Sequence, residues 1–225
     1  MSARLALYWA PEREDPLHAA ASAWLGRDAE TGAALPQPSI AGLDLAEVTA
    51  DARGYGFHAT LKAPFRPAIP EAGVREAAQN LAGRIAPFDL PPLVVADLDG
   101  FLALRESHSC PALQALADAA VEMLEPCRAP LTEAEVARRR PERLAERQRS
   151  HLYRWGYPHV FEDWRFHMTL SRRLTPGEAD ILRPAAEAAL GTAAGRPRRV
   201  REVCLFAQAG PGEPFLILER FRLAG

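Results

Sequence analysis

The chain has 225 residues, 48% of them apolar and 25% charged, with a formal net charge of −2 at neutral pH. That length is ample for a sizeable core and that balance excludes a disordered tail; no apolar run approaches the ~18 residues of a membrane span, and a slightly acidic chain is a poor default partner for long nucleic acid. Cys110, Cys127 and Cys204 form no close-spaced pair, which argues against a disulfide framework or a Cys-type zinc site and reads as buried or inert thiols.

In chain order, residues 4–9 read as a first strand carrying Tyr8. The opening stretch is broken by Pro11 and charges too soon to be a signal-peptide core, so a cytoplasmic protein is expected. Residues 26–56, rich in Gly, Pro, Asp and Thr, read as a long loop able to act as a lid or rim. A helical stretch over 71–86, an apolar run from Leu93 to Leu98 and the run Phe101-Leu102-Ala103-Leu104 follow. Over 111–125, Leu113, Leu116, Ala120, Val121 and Leu124 fall at helical intervals and predict a helix packed on a sheet. Residues 126–162 carry Thr132-x-x-Glu135, a capping-box spacing, and many arginines interleaved with Glu, the pattern of a solvated helical linker. Thr175-Pro176-Gly177-Glu178 starts another helix over 176–190, which Pro184 should end or kink. Val200 to Ala207 and Phe215 to Leu218 close the chain as strands.

An internal repeat organises these elements. Phe57-His58-Ala59-Thr60-Leu61 recurs as Phe166-His167-Met168-Thr169-Leu170, 109 residues later, and each copy is followed by helix, strand, strand. If each motif is a strand, side chains alternate: His58, Thr60 and Lys62 share one face, His167, Thr169 and Ser171 share another, and Phe57, Leu61, Phe166 and Leu170 turn to the core. The reading is an α+β fold, a single bilobal unit over 1–225. Two antiparallel sheets, one per repeat, are related by an approximate two-fold axis around a central cleft, with helices outside. Lobe one covers mainly 50–125 and lobe two mainly 163–225, with strand 4–9 joining one sheet and 126–162 linking the halves.

Two polar strips facing across a cleft bring together two imidazoles and two hydroxyls. In-line displacement at phosphorus needs one group to accept a proton from the attacking water and another, opposite, to donate one to the leaving oxygen. Histidine, with an ordinary pKa near 6.5, can do either near neutral pH. Thr60 and Thr169 can donate to the non-bridging oxygens, and Lys62 adds a cation. In Arg154-Trp155-Gly156-Tyr157-Pro158, Arg154 is a candidate phosphate clamp and Tyr157 a candidate stacking ring; Tyr8 is a further candidate. His18, His108, His151 and His159 have no repeated context and read as surface or loop residues, and no metal site is expected.

The paired His-x-Thr motifs, each after an aromatic and before Leu, resemble the two-histidine phosphoesterase superfamily of cyclic phosphodiesterases and RNA 2′,3′-cyclic phosphodiesterases. More narrowly, the stretches Tyr55 to Phe65, Gly100 to Leu104, Arg154 to Pro158 and Phe166 to Leu170 are similar to a branch found in bacterial phosphonate-utilisation operons. The resemblance implies a metal-independent, cofactor-free hydrolase of a small cyclic phosphate ester, with His58, Thr60, His167 and Thr169 catalytic. It leaves the substrate, and which histidine is the base, open. A monomer with a small phosphoester substrate and no membrane partner is expected. The alternatives are a hydrolase of RNA ends or nucleotide 2′,3′-cyclic phosphates and, in another class, a non-catalytic phosphate-ligand sensor.

Overall fold

A computed structural model describes residues 4–225. Its strands are β1 (Arg4–Trp9), β2 (Ala59–Phe65), β3 (Phe88–Leu90), β4 (Leu93–Leu98), β5 (Phe101–Glu106), β6 (Met168–Arg173), β7 (Arg198–Val200), β8 (Glu202–Gln208) and β9 (Phe215–Arg222). The helices are α1 (Pro16–Leu25), α2 (Leu45–Val48), α3 (Ala50–Tyr55), α4 (Glu71–Ala82), α5 (Pro111–Leu124), α6 (Glu133–Arg138), α7 (Glu146–Trp155) and α8 (Pro176–Ala194). The class is α+β with antiparallel pairing, as the alternation and the repeat imply. No helix among the described residues is long and apolar enough to cross a membrane.

The partition of strands differs from one sheet per repeat. A large sheet runs β4-β5-β6-β2-β1-β8-β9, and β3 with β7 forms a small second one. Of the strands that follow the first motif, β5 therefore pairs with the second motif's strand β6, and β4 pairs with β5 at the sheet edge. Those that follow the second motif, β8 and β9, lie on the first motif's side, with β1 between β8 and β2. The repeats have exchanged strands, which sets the two motif strands side by side at the centre. They are joined through the pair Ala59↔Met168, the middle residues of the two motifs, separated by the same 109 residues as His58 and His167. An antiparallel pair has a local two-fold axis, and here that axis coincides with the axis of the repeat.

Beyond this pair β2 and β6 splay, and carbonyls freed there need donors. Two indoles supply them: Trp164 Nε1 donates to the Thr60 carbonyl at 2.8 Å, and Trp24 Nε1 to the Leu170 carbonyl at 3.0 Å.

The core lies on the helix-covered face. Leu5, Leu7, Trp9, Leu61, Leu102, Leu104, Met168, Leu170, Val203 and Leu205 pack there against α1, α4, α5 and α8, each buried leucine contributing about 1.5–3 kcal/mol. Alternation sends Ala6, Tyr8, Cys204 and Phe206 to the opposite face, where they form a smaller cluster with Ala10, Ala29 and Phe215.

Three further expectations change. Residues 26–56 are not a free loop: buried Arg27 donates to the carbonyls of Arg53 (2.9 Å) and Phe215 (2.9 Å), and Gln37 Nε2 to that of Trp24 (2.7 Å). Side-chain-to-backbone bonds of this kind leave no periodic trace in a sequence. Helix α8 continues through Pro184 to Ala194, because Pro184 is on the exposed side while Leu182, Ala186, Leu190 and Ala194 anchor the other and water can serve the freed carbonyl. Finally, Arg147 of the 126–162 segment is clamped by Asp163 at 2.8 Å, and this segment walls a cavity rather than merely linking the halves.

Candidate active site

Both motif histidines stand immediately before their strands and are held alike. His58 Nδ1 is 2.9 Å from the carbonyl of Gly56, and His167 Nδ1 is 2.8 Å from that of Arg165, in each case the residue two positions earlier. A carbonyl can only accept, so Nδ1 carries the proton and Nε2 presents its lone pair. At His58 that lone pair meets the Thr60 hydroxyl, which donates to Nε2 at 3.3 Å. Gly56 aims its carbonyl from φ 79° and ψ 174°, a region essentially closed to other residues, and a Cβ there would stand 2.5 Å from Ala29 Cβ. Carried one residue either way, the Ala59↔Met168 register sets His58 across from Thr169 and Thr60 across from His167. All four candidate catalytic residues thus share the face away from the helices.

Burial, the largest influence, pushes the His58 pKa down to about 4; the Gly56 bond opposes this and the neighbouring His167 charge adds to it. His167 is also lowered, first by burial and then by the Arg105 cation, against its bond to Arg165. Both shifts favour the neutral imidazole in the free protein, and an anion bound between the two rings would favour protonation. Tyr8 stacks on His58 with ring centroids 3.8 Å apart and planes 23° apart. Its phenol is pushed well up, mainly by burial, so it faces the imidazole uncharged. Tyr55 and Phe206 each lie 6.1 Å from the His58 ring. At His167 the neighbour is the edge of Phe101, at 5.9 Å.

A cavity of about 530 Å³ opens beside this centre, with Thr60, His167 and Phe101 in its wall. Tyr157 and, unanticipated by the sequence, Arg147, Gln148, His159 and Trp164 complete much of it. His159 stands in T-shaped contact with Tyr157 at 5.5 Å. The available signal was the density of aromatic and charged residues just before the second motif, which composition alone does not orient.

Three candidates are turned away. Lys62 is buried on the helix side, where its ammonium donates to the Val121 carbonyl (3.0 Å) and pairs with Glu125 (2.6 Å). A β-bulge is the cause: the register with β1 slips between Tyr8↔Thr60 and Leu7↔Lys62, so Leu61 and Lys62 are both buried. Ser171, the matching position, meets the same fate. The β5–β6 register slips between Phe101 and Ala103, and the Ser171 hydroxyl accepts from Leu102 N–H (3.0 Å) while donating to the Arg172 carbonyl (2.8 Å). Arg154 is exposed on α7 with its guanidinium 4.8 Å over the Trp155 ring, outside the cavity wall. Among the described residues no group of three or more His, Cys, Asp or Glu is arranged to hold a metal ion.

The chain is 38% identical to a protein of Janthinobacterium sp. (strain Marseille) named ribose 1,5-bisphosphate phosphokinase PhnN, over 99% of this chain and 51% of that protein. A protein of the same name from Laribacter hongkongensis (strain HLHK9) is 37% identical over 94% of this chain and 50% of its own length. The chain spans about half the length of the curated relatives it matches. Among solved structures, it shares the fold of TT0787 of Thermus thermophilus, with a TM-score of 0.50 and 17% identity over 99% of this chain and 98% of that one. It is also similar to E. coli LigT complexed with NADP+, with a TM-score of 0.46 and 16% identity over 100% and 99% of the two chains. Residues 60–216 match a family described as a protein of unknown function, DUF1045, and the chain belongs to that family.

Proposed function

We propose that the chain hydrolyses a small cyclic phosphate ester by paired-histidine acid and base catalysis, with Thr60 and Thr169 donating to the phosphoryl oxygens. The carrying observation is the twin anchoring of Nδ1 by a carbonyl two residues back, which leaves two Nε2 atoms on one face of adjacent strands. One Nε2 takes a proton from water as its oxygen bonds to phosphorus. The ring P–O bond breaks opposite, and the second imidazole, protonated under the substrate's negative charge, delivers its proton to the departing oxygen. The product is an acyclic monoester, and the two histidines exchange protonation states.

The names of the relatives support a phosphorylated sugar as substrate and a place in phosphonate metabolism. Their kinase activity is a property of proteins twice as long, and this sequence holds no Gly-x-x-x-x-Gly-Lys-Ser/Thr loop of the kind that cradles nucleotide phosphates. Ribose and nucleotide cyclic phosphates, presented after exhaustive chelation and followed by phosphorus NMR, test the reading. Ring opening in EDTA is the expected result; activity that needs a restored divalent ion overturns the metal-independent mechanism. Tight, strongly salt-dependent RNA binding would favour an RNA-end substrate, and tight phosphate-ester binding without turnover would favour a sensor.

A further inference from the structure

A cyclic phosphodiester brings a negative charge, and charge on its non-bridging oxygens grows during attack. Two imidazoles whose burial favours the neutral form do not balance it, and Lys62, the sequence's candidate cation, is committed to Glu125.

Strand β5 offers another. It lies beside β6 with Ala103 paired to Thr169 and Leu104 to Met168, so the next position in the register sets Arg105 across from His167. Leu102 and Leu104 belong to the helix-side core, which puts Ala103 and Arg105 on the face of the motif side chains. The Arg105 guanidinium is not consumed by the protein. Its Nε is buried with no hydrogen-bond partner among the described residues, and the Glu106 carboxylate comes no nearer than 3.9 Å to Nη2. A buried N–H left unpaired is costly, and a ligand oxygen would satisfy it. Its charge already reaches His167. On the other side of the two-fold, Tyr8 pairs with Thr60 as Ala103 pairs with Thr169, so the counterpart of Arg105 is Ala10, a buried apolar residue. At this register position the two sides differ, a cation beside His167 and a methyl group beside His58.

We propose that Arg105 binds a non-bridging phosphoryl oxygen of the substrate beside His167, fixing which side of the pseudo-symmetric cleft holds the charge. This rests on the phosphoesterase reading.

The probe is inorganic phosphate, titrated into the full chain by calorimetry while the imidazole C2 protons of His58 and His167 are followed by NMR. The proteins are wild type, Arg105→Gln, Arg105→Lys and, as a control, Arg199→Gln in the small sheet. Loss of a charge-assisted bond should weaken phosphate binding about 10- to 100-fold in Arg105→Gln and less in Arg105→Lys, which keeps the charge and loses the planar fork. Arg199→Gln should bind as wild type. In the phosphate-free protein, Arg105→Gln should titrate His167 at higher pH, because a neighbouring cation has gone. Phosphate that binds folded Arg105→Gln as tightly as wild type, still shifting both histidines, overturns the role of Arg105 and leaves the phosphoesterase reading standing. Weakened binding with the His167 titration unmoved marks structural damage and overturns it too. Phosphate that shifts neither histidine of the wild type overturns both ideas. Should Arg105→Gln fail to fold, Arg105→Lys decides: unchanged phosphate affinity there sinks the proposal.

Discussion

The two halves of the cleft are built on one backbone plan and furnished differently. Around β2 and around β6 the burial sequence is the same: the motif's middle residue and Leu are buried, Thr is half-exposed, and the residue after Leu is buried again at a bulge. Each histidine ties Nδ1 to the carbonyl two residues earlier. The surroundings then diverge. His58 sits under Tyr8 among aromatic rings, whereas His167 meets one phenyl edge and lies within reach of a cation. The repeat has kept what aims the imidazoles and varied what surrounds them, a difference that the proposed reaction, with its distinct acid and base, would use.

Removing either aimed group should have the largest effect. His58→Ala and His167→Ala are each expected to lower kcat on the true substrate by about 10²- to 10⁴-fold with modest change in KM, measured by steady-state kinetics on variants checked by circular dichroism. A loss at only one of them would break the comparison. Thr60→Ala and Thr169→Ala should cost about 10- to 10³-fold in kcat/KM, since each removes one hydrogen bond to the phosphoryl group rather than a proton-transfer partner.

Stability sharpens the contrast next. Gly56 and Arg165 supply equivalent carbonyls, yet Gly56 does so from a backbone region with no room for a Cβ. Gly56→Ala should destabilise by about 1–3 kcal/mol. Arg165→Ala, with its side chain largely in solvent, should stay within about 0.5 kcal/mol; paired urea melts check both.

The histidines also differ in their link to pH. His58 titrates at about 4 when folded and near 6.5 when unfolded, so between those values the unfolded chain binds the extra proton. Its contribution is present above pH 6.5 and lost as pH falls toward 4, by about 3 kcal/mol at most. Melting temperatures across that window should fall less steeply in His58→Gln than in wild type.

Much of this was legible in the sequence because it rests on local rules. β4 is the apolar run Leu93 to Leu98 residue for residue, α5 matches its stripe within a residue, and the capping box at Thr175 forms as spaced. The candidate catalytic four fall on one face because alternation holds as far as Thr60 and Thr169. It fails one step later, at Lys62 and Ser171, because a bulge is set by pairing with β1 and β5, and a strand's own sequence does not contain its partner. Strand exchange between the repeats was hidden for the same reason. Arg105 lacked any motif; its place across from His167 exists only once β5 is paired to β6.

The central claim is that the two imidazoles act as one unit on one phosphorus atom. A double-mutant cycle tests it most directly, comparing kcat for cyclic phosphate hydrolysis in EDTA among wild type, His58→Ala, His167→Ala and the double variant, each shown to be folded. Groups that serve a single transition state are strongly non-additive, so the double variant should be no slower than about the worse single variant. Losses that multiply, or a single variant that retains a rate near wild type, would contradict the account.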